Sequence, residues 1–420
     1  MAFKISCRNC NNYKFDNLFS LGNLFYTGKF PSKKKQKIPK GKIALVKCKS
    51  CQLVQLDRKF NPKYLYNKDY GYRSGINKTM TNHLTNITKK LTKLTKLKKN
   101  DFVLDIASND ATLLNSYKTH GIKKIGIDPI INKFKKFYKK IDYKIADFFS
   151  FEAIQKKKIK NKFKIITACA VFYDIDKPNK FLKDVSQIID QDKGVFYLEF
   201  QDLLSIIKNN LFDTICHEHL EYYSLKVVKN MIEKNNMKII DIYKNDINGG
   251  SLSLYIAHVN SKFKTVNKNI NKIIIEEKKF KLNEKKTYIN FYNKINNIKE
   301  KLLKILMNLK KNNKTLHGYG ASTKGNVLLQ YFKIDHNLID YIADRNPAKN
   351  NLYTPGTKIK IITEEKSRKH KPDFYLVLPW HFKKEILIRE KKTINKGSRF
   401  IFPLPNLKIV WWKQLFLYLD

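Results

Sequence analysis

Phe102-Val-Leu-Asp-Ile-Ala-Ser-Asn-Asp-Ala-Thr-Leu-Leu114 decides the fold. Phe102 to Ala107 reads as a short apolar strand, and Ser108, Asn109 and Asp110 turn the chain and cap a following helix. The same rhythm continues outward. Lys124-Ile-Gly-Ile-Asp128 is a second strand ending on an acid, Phe163–Ala170 a third and Lys193–Glu199 a fourth. Strands alternating with helices predict a doubly wound, mainly parallel sheet. Ligands of such sheets gather at the carboxyl ends of the strands, where Asp105, Asp128, Asp147 and Glu199 fall. Asn248–Ala257 reads as a glycine turn into a further strand, and a long polar helical stretch is expected from Val266 to Lys311. The βα rhythm then restarts with Thr315–Asn326, the strand Ile339–Asp344 and the strand Asp373–Pro379, predicting a second α/β unit.

Upstream, Cys7-x-x-Cys10 and Cys48-x-x-Cys51 bracket a basic loop. Each pair aims two sulfurs at one point, and two pairs make a tetrahedral thiolate cage for structural zinc. A Lys-rich helix is expected from Thr79 to Leu97, with Leu84, Ile87, Leu91 and Leu94 at helical spacing. The reading is thus α/β with three domains. A small zinc-binding domain spans 1–65, a central Rossmann-like domain 66–284 and a C-terminal Rossmann-like α/β domain 285–420.

Composition agrees with a globular, multidomain protein: 420 residues, 42% hydrophobic and 13% aromatic. No apolar run reaches the roughly 18 residues a membrane span needs, and no signal-peptide pattern follows Met1, so a cytoplasmic location is expected. The formal charge of +48 comes from a pervasive lysine bias. No nucleic-acid partner is expected from it, although a positive field favours an anionic substrate.

Asp213-Thr-Ile-Cys-His-Glu-His-Leu-Glu-Tyr-Tyr-Ser224 concentrates groups that move protons. It reads as an active-site segment supplying a general base, with a polar loop as the alternative. The first sheet resembles a methyltransferase site for S-adenosylmethionine. Asp105 suits the methionine end, Asp128 the ribose hydroxyls, and Asp147 with Phe148 the adenine. Ala107 and Ala111 stand where a dinucleotide fingerprint wants glycines. Gly318-Tyr-Gly-Ala-Ser-Thr-Lys-Gly325 offers glycine amides, Ser322 and Lys324 to a phosphate at a helix N-terminus. A Tyr-rich connector presents Tyr70 or Tyr72 as a lid.

The ordered set Cys-x-x-Cys, Cys48-x-x-Cys-Gln-Leu-Val-Gln-Leu56, Leu104-Asp-Ile-Ala-Ser-Asn-Asp110, Gly126-Ile-Asp-Pro129, His217-Glu-His-Leu-Glu-Tyr-Tyr-Ser224, Asn248-Gly-Gly-Ser251 and Gly318–Asn326 resembles the NDP-hexose C-methyltransferases over nearly the whole chain. The resemblance implies a zinc domain, a class I methyltransferase domain using S-adenosylmethionine, and a C-terminal domain for a nucleotide sugar. It implies methylation of carbon 3 of a 4-keto deoxysugar nucleotide, with His219 as base. Glu218, Tyr222 and Tyr72 are then expected in support, since an enolate oxygen needs a hydrogen-bond donor. Asp105, Ala107, Asn109, Asp128, Asp147 and Phe148 are expected at the methyl donor, and Tyr70, His217, Asn248, Gly320, Ser322, Lys324 and Asn326 at the substrate. Cys216 replaces an expected Tyr, Asp174 an expected His and Ala111 an expected Gly. Two alternatives remain at this point: a zinc-ribbon RNA methyltransferase and a non-catalytic two-site nucleotide-binding protein.

Overall fold

The structure is a computed structural model and describes residues 5–66 and 71–414. Three strands open the chain: β1 (Phe15–Phe25), β2 (Lys40–Cys48) and β3 (Val54–Leu56). The central part contributes β4 (Phe102–Ile106), β5 (Lys123–Ile127), β6 (Tyr143–Ile145), β7 (Ile165–Cys169) and β8 (Val195–Gln201). There follow the two-residue β9 (Glu221–Tyr222), β10 (Met237–Asn245) and β11 (Ser251–His258). The last part holds β12 (Leu316–Tyr319), β13 (Tyr341–Asp344), β14 (Lys360–Thr363), β15 (Phe374–Val377), β16 (Arg399–Phe402) and β17 (Lys408–Val410).

The expected α/β class holds, as two open sheets and a smaller antiparallel one. The central sheet runs β10-β11-β8-β7-β4-β5-β6, and the C-terminal sheet runs β14-β13-β12-β15-β16-β17. From β8 to β6 every pairing is parallel, and the antiparallel β10–β11 hairpin finishes the edge beside β8. Ile165–Ala168, apolar but for Thr167, is buried on both faces, as parallel strands between helical layers require. Each open sheet has a point where strand order reverses. β4 lies between β5 and β7, and β12 lies between β13 and β15. Such reversals open a crevice at the carboxyl edge.

The antiparallel sheet has the order β1-β2-β3-β9, so its last strand comes from residues far downstream. Val54 pairs with Tyr222 and Gln55 with Glu221. The segment just after His219 is therefore held by the N-terminal sheet. The same small domain divides its packing between two cores. Cys7, Cys48 and Leu53 bury with Phe172 and Tyr223 of the central part. Leu18 and Ile43 bury with Phe291, Val327 and Leu328 of the C-terminal part.

Two helix expectations are corrected. The lysine-rich helix spans Lys78–Thr95, because Lys96 turns left-handed at φ 50° and caps it. The stretch from Val266 to Lys311 is two helices, Asn267–Lys279 and Lys285–Lys311, broken where Lys281 adopts φ 57°. A lysine in that region cannot continue a right-handed helix.

Candidate active site

The two crevices open into one cavity of about 870 Å³. Its wall includes Ala107, Asn109, Asp128, Asp147 and Phe148 from the central sheet. Gly320, Ser322, Lys324, Asp344 and Arg345 line it from the C-terminal sheet. Glu218 and His219 lie in the wall between them. The volume is near the top of the roughly 300–1,000 Å³ typical of a single small-molecule site.

His219 is the partly open residue in a run, Leu211–Leu220, that is otherwise buried. Its Nδ1 lies 2.6 Å from the Thr214 carbonyl oxygen and 3.1 Å from Thr214 Oγ1. A carbonyl only accepts, so the network assigns the ring proton to Nδ1. Thr214 Oγ1 gives its own proton to Gln201 Oε1, which leaves it too as an acceptor toward Nδ1. Nε2 is therefore the free, basic nitrogen. Tyr173 packs against the ring at 4.4 Å between centroids and fixes its plane. Burial, then the nearby Lys324 ammonium, lower the imidazole to about 3, so it stands neutral at ordinary pH.

Lys324 extends from the start of the helix Thr323–Phe332 toward this same corner. Its Nζ donates to Gln201 Oε1 and to the Asn248 carbonyl, each at 3.3 Å. An ammonium has three hydrogens, so one remains for a ligand. The expectation of a phosphate ligand at Lys324 thus meets a different placement, beside His219.

Glu218 Oε2 accepts from Thr27 Oγ1 at 3.3 Å, and burial raises its carboxyl above the usual range. Asp174 lines the cavity near Glu218, and burial, reinforced by that neighbouring charge, pushes it well up. Cys216 is fully enclosed beneath them and hydrogen-bonds Glu218, so its influence on a ligand passes through that carboxyl.

Four expected site residues are not in the cavity wall. The Asp105 carboxylate is enclosed within the sheet and accepts from Thr167 Oγ1 at 2.6 Å. Tyr222 is buried, and its hydroxyl donates to the His219 carbonyl at 3.0 Å, so it holds the backbone at His219. His217 is sealed between the rings of Tyr26 and Phe60, with Nε2 donating to the Leu24 carbonyl at 3.0 Å. Asn326 is buried, and its Nδ2 donates to the Thr27 carbonyl at 2.7 Å. All four sit in stretches whose flanking residues are buried as well, so local spacing carried no sign of which side chain reaches the cavity. Tyr72 and Asn248 do line the cavity, and Tyr70 lies outside the described residues.

Residues 7–66 match a zinc binding domain model, 78–242 a methyltransferase domain model, and 246–405 the model described as C-methyltransferase C-terminal domain. Over 369 residues the chain is 26% identical to C-methyltransferase NovU of Streptomyces niveus, covering 88% of this chain and 87% of that one. Domain by domain, the chain matches the C-methyltransferases over nearly its whole length. Among solved structures, an S-adenosylmethionine-dependent methyltransferase from Clostridium acetobutylicum is 13% identical, with a TM-score of 0.34 over 42% of this chain and 92% of that chain. Magnesium protoporphyrin IX methyltransferase of Synechocystis is 9% identical, with a TM-score of 0.32 over 42% of this chain and 79% of that chain.

This C-methyltransferase uses S-adenosylmethionine, and the residues present fit that group. Asp128 receives the amides of Asn109 and Ile130, each at 2.9 Å, so its carboxylate ties the loop after β4 to the loop after β5. It keeps lone pairs for further donors. The loop after β4 is shaped by left-handed backbone at Ala107, Asn109 and Ala111, with φ of 57°, 48° and 59°. Tyr138 secures it by donating to the Asn109 carbonyl at 2.8 Å. Phe148, 41% exposed, offers a flat apolar wall beyond β6.

The thiolate cage of the C-methyltransferase also fits its metal. The four Sγ atoms of Cys7, Cys10, Cys48 and Cys51 lie within 4.8 Å of one another. Zinc–sulfur bonds of 2.3 Å at tetrahedral angles set sulfurs about 3.8 Å apart. The cage is far from His219 in role: four cysteines leave no open position, so the zinc is structural.

Several wall residues escaped the sequence reading. Behind the wall, His83 Nε2 meets both carboxylate oxygens of the lining residue Glu199 at 2.9 Å. Arg345 and Arg389 meet Glu385 at 3.2 and 3.3 Å. His381, just past β15, lines the same cavity within electrostatic range of Lys324. Charged residues in a chain this rich in charge carry no local signature. Only the position of His381 after a strand end, in Leu378-Pro-Trp-His-Phe382, was a usable hint.

Proposed function

We propose that this S-adenosylmethionine-dependent C-methyltransferase acts in the cytoplasm on a nucleotide-linked keto-deoxysugar, methylating the carbon next to the ketone, in deoxysugar or surface-polysaccharide biosynthesis. The observation that carries the reading is the bond from His219 Nδ1 to the Thr214 carbonyl, which leaves Nε2 as a base at the junction of the two crevices. A proton beside a ketone is acidic enough for a positioned imidazole to remove.

S-adenosylmethionine supplies a methyl group from its sulfonium. His219 Nε2 takes the α-proton, and the C–H electron pair moves into the enolate. The third N–H of Lys324 faces the developing oxyanion in a site with little water, where charge stabilisation is strongest. Tyr72 lines the cavity, and its phenol, protonated at ordinary pH, is a hydrogen-bond donor there. Glu218, raised by burial, positions a sugar hydroxyl. Asn109, Asp128, Asp147 and Phe148 hold the donor, and Asp105 supports the strand beneath them.

The nucleotide is assigned to the C-terminal crevice. Gly320, at φ 83°, brings the backbone close to a ligand, since a Cβ there would strike Pro379 at 2.5 Å. Ser322 caps the helix Thr323–Phe332 by accepting from the Gly325 amide at 2.9 Å. Arg345 and Lys349 add positive charge on the same wall, which suits a diphosphate.

The test incubates the purified protein with S-adenosylmethionine and nucleoside diphosphate 4-keto-6-deoxyhexoses. Gain of one carbon-bound methyl, located by NMR, is expected. Methylation of RNA with no reaction on any sugar nucleotide would refute the reading.

A further inference from the structure

We propose that His381 is a further catalytic residue, donating a hydrogen bond from Nε2–H to the substrate's carbonyl oxygen opposite the base. The assignment rests on the keto-sugar reading above and adds the group that completes its oxyanion site.

His381 leaves the carboxyl end of β15 in a single helical turn, Trp380–Phe382, and lines the cavity. The turn is anchored to the catalytic segment itself. Trp380 Nε1 donates to Asp213 Oδ2 at 2.8 Å, and the Trp380 ring leaves no room for a Cβ at Gly249, which would lie 2.7 Å away. The ring of His381 is braced by Phe382 at 4.3 Å and Trp380 at 5.6 Å between centroids. An imidazole held this firmly is preorganised, which is what an oxyanion donor requires.

Its polar atoms have no structural use. Nδ1 is enclosed and without a partner, and His381 makes no hydrogen bond among the described residues. A buried histidine that serves only packing normally satisfies at least one ring nitrogen. With Nδ1 sealed off, the proton belongs on Nε2, where a ligand in the cavity can accept it.

Lys324 connects the two imidazoles. After burial, its charge is the next cause of the lowering of both His219 and His381. Both rings therefore lie within electrostatic range of that ammonium, and both line the same cavity. Lys324 also keeps His381 neutral, and a neutral imidazole can polarise a carbonyl as triosephosphate isomerase illustrates. In the enolisation the α C–H bond breaks, its proton goes to His219 Nε2, and its electron pair ends as charge on the carbonyl oxygen. His381 transfers no proton. It donates a hydrogen bond that strengthens as that charge grows.

The experiment follows enolisation apart from methyl transfer. Wild type, H381F and H381Q are incubated in D₂O with S-adenosylhomocysteine and thymidine- or guanosine-diphosphate 4-keto-6-deoxyhexose, and α-deuterium is read by NMR. H381F should exchange roughly 100-fold more slowly, the loss typical of one missing oxyanion donor. H381Q, which restores an N–H, should recover most of the rate. Affinity for the sugar nucleotide and for S-adenosylhomocysteine, measured by calorimetry, should be unchanged in both. If H381F does not fold, H381M takes its place. A donor-less variant that exchanges at the wild-type rate would overturn the assignment, as would a loss of rate matched by a loss of sugar-nucleotide affinity. Absence of exchange by the wild type on both nucleotides would overturn the keto-sugar reading, and this assignment with it.

Discussion

Arg8 Nε lies 3.3 Å from Glu221 Oε1, joining the first zinc knuckle to the strand that begins two residues after His219, the proposed base. Arg8 also donates to the carbonyls of Leu56 and Arg58 at 3.1 and 3.0 Å, and its own amide donates to Gln55 Oε1 at 3.0 Å. Gln55 is the residue that pairs with Glu221 across β3 and β9. The Glu221 oxygens make no aligned hydrogen bond, and burial pushes the carboxyl up more strongly than Arg8 pulls it down. The contact works by packing and by the guanidinium's carbonyl bonds more than by a full ion pair.

Arg8→Met should therefore cost about 2–3 kcal/mol, the scale of losing buried charge-assisted hydrogen bonds to carbonyls. Its effect should be local. Hydrogen exchange at Leu220–Tyr222 should accelerate, turnover should fall, and one zinc should remain bound by elemental analysis. Stripping the zinc with a chelator should loosen the same amides. Unchanged exchange at Leu220–Tyr222 after both treatments would remove the link between the knuckle and the base.

His219→Asn should lower turnover by roughly 10²–10⁴-fold, the range for a general base. Calorimetric affinity for S-adenosylhomocysteine should not change, because the donor crevice holds none of its contacts. Retained turnover removes His219 from the base role.

The acid limb of kcat/KM should lie near pH 3–4, since His219 is lowered to about 3 from an ordinary value of 6.5. The sign for stability follows. The unfolded chain binds the extra proton between those values, so this histidine makes the fold less stable as pH falls through 6.5 toward 3. Lys324→Met removes a positive neighbour, so the His219 value should rise and the acid limb should move to higher pH. kcat should fall while sugar-nucleotide affinity holds. A drop in affinity alone would return Lys324 to phosphate binding.

Ala107→Gly should stabilise the protein by about 0.5–1 kcal/mol. The left-handed backbone costs an L-residue roughly 1–2 kcal/mol, partly offset by the unfolded-state freedom of glycine. Ala107 sits at φ 57° and is only half-buried, so little packing is lost. The urea midpoint of unfolding measures the change, and a lower midpoint would show that the methyl packs usefully.

The amino-acid sequence by itself determined the repeating strands, the two α/β sheets, the thiolate pairs and the segment Asp213–Ser224. These depend on local spacing: apolar runs of strand length, Cys-x-x-Cys turns and acids at strand ends. Local spacing also narrowed the base to the His-Glu-His run, where a resemblance pointed to His219. It could not separate His219 from His217, because two residues along an irregular segment have no fixed phase. Tertiary structure separates the two rings, setting His219 on the cavity wall beside the Thr214 carbonyl and sealing His217 between Tyr26 and Phe60. It also carried Lys324 away from the expected phosphate to the base, enclosed Asp105, Tyr222 and Asn326, and brought His381 across from the C-terminal sheet. Each of those outcomes depends on contacts between chain segments far apart in sequence, and the catalytic corner is made where three sheets meet.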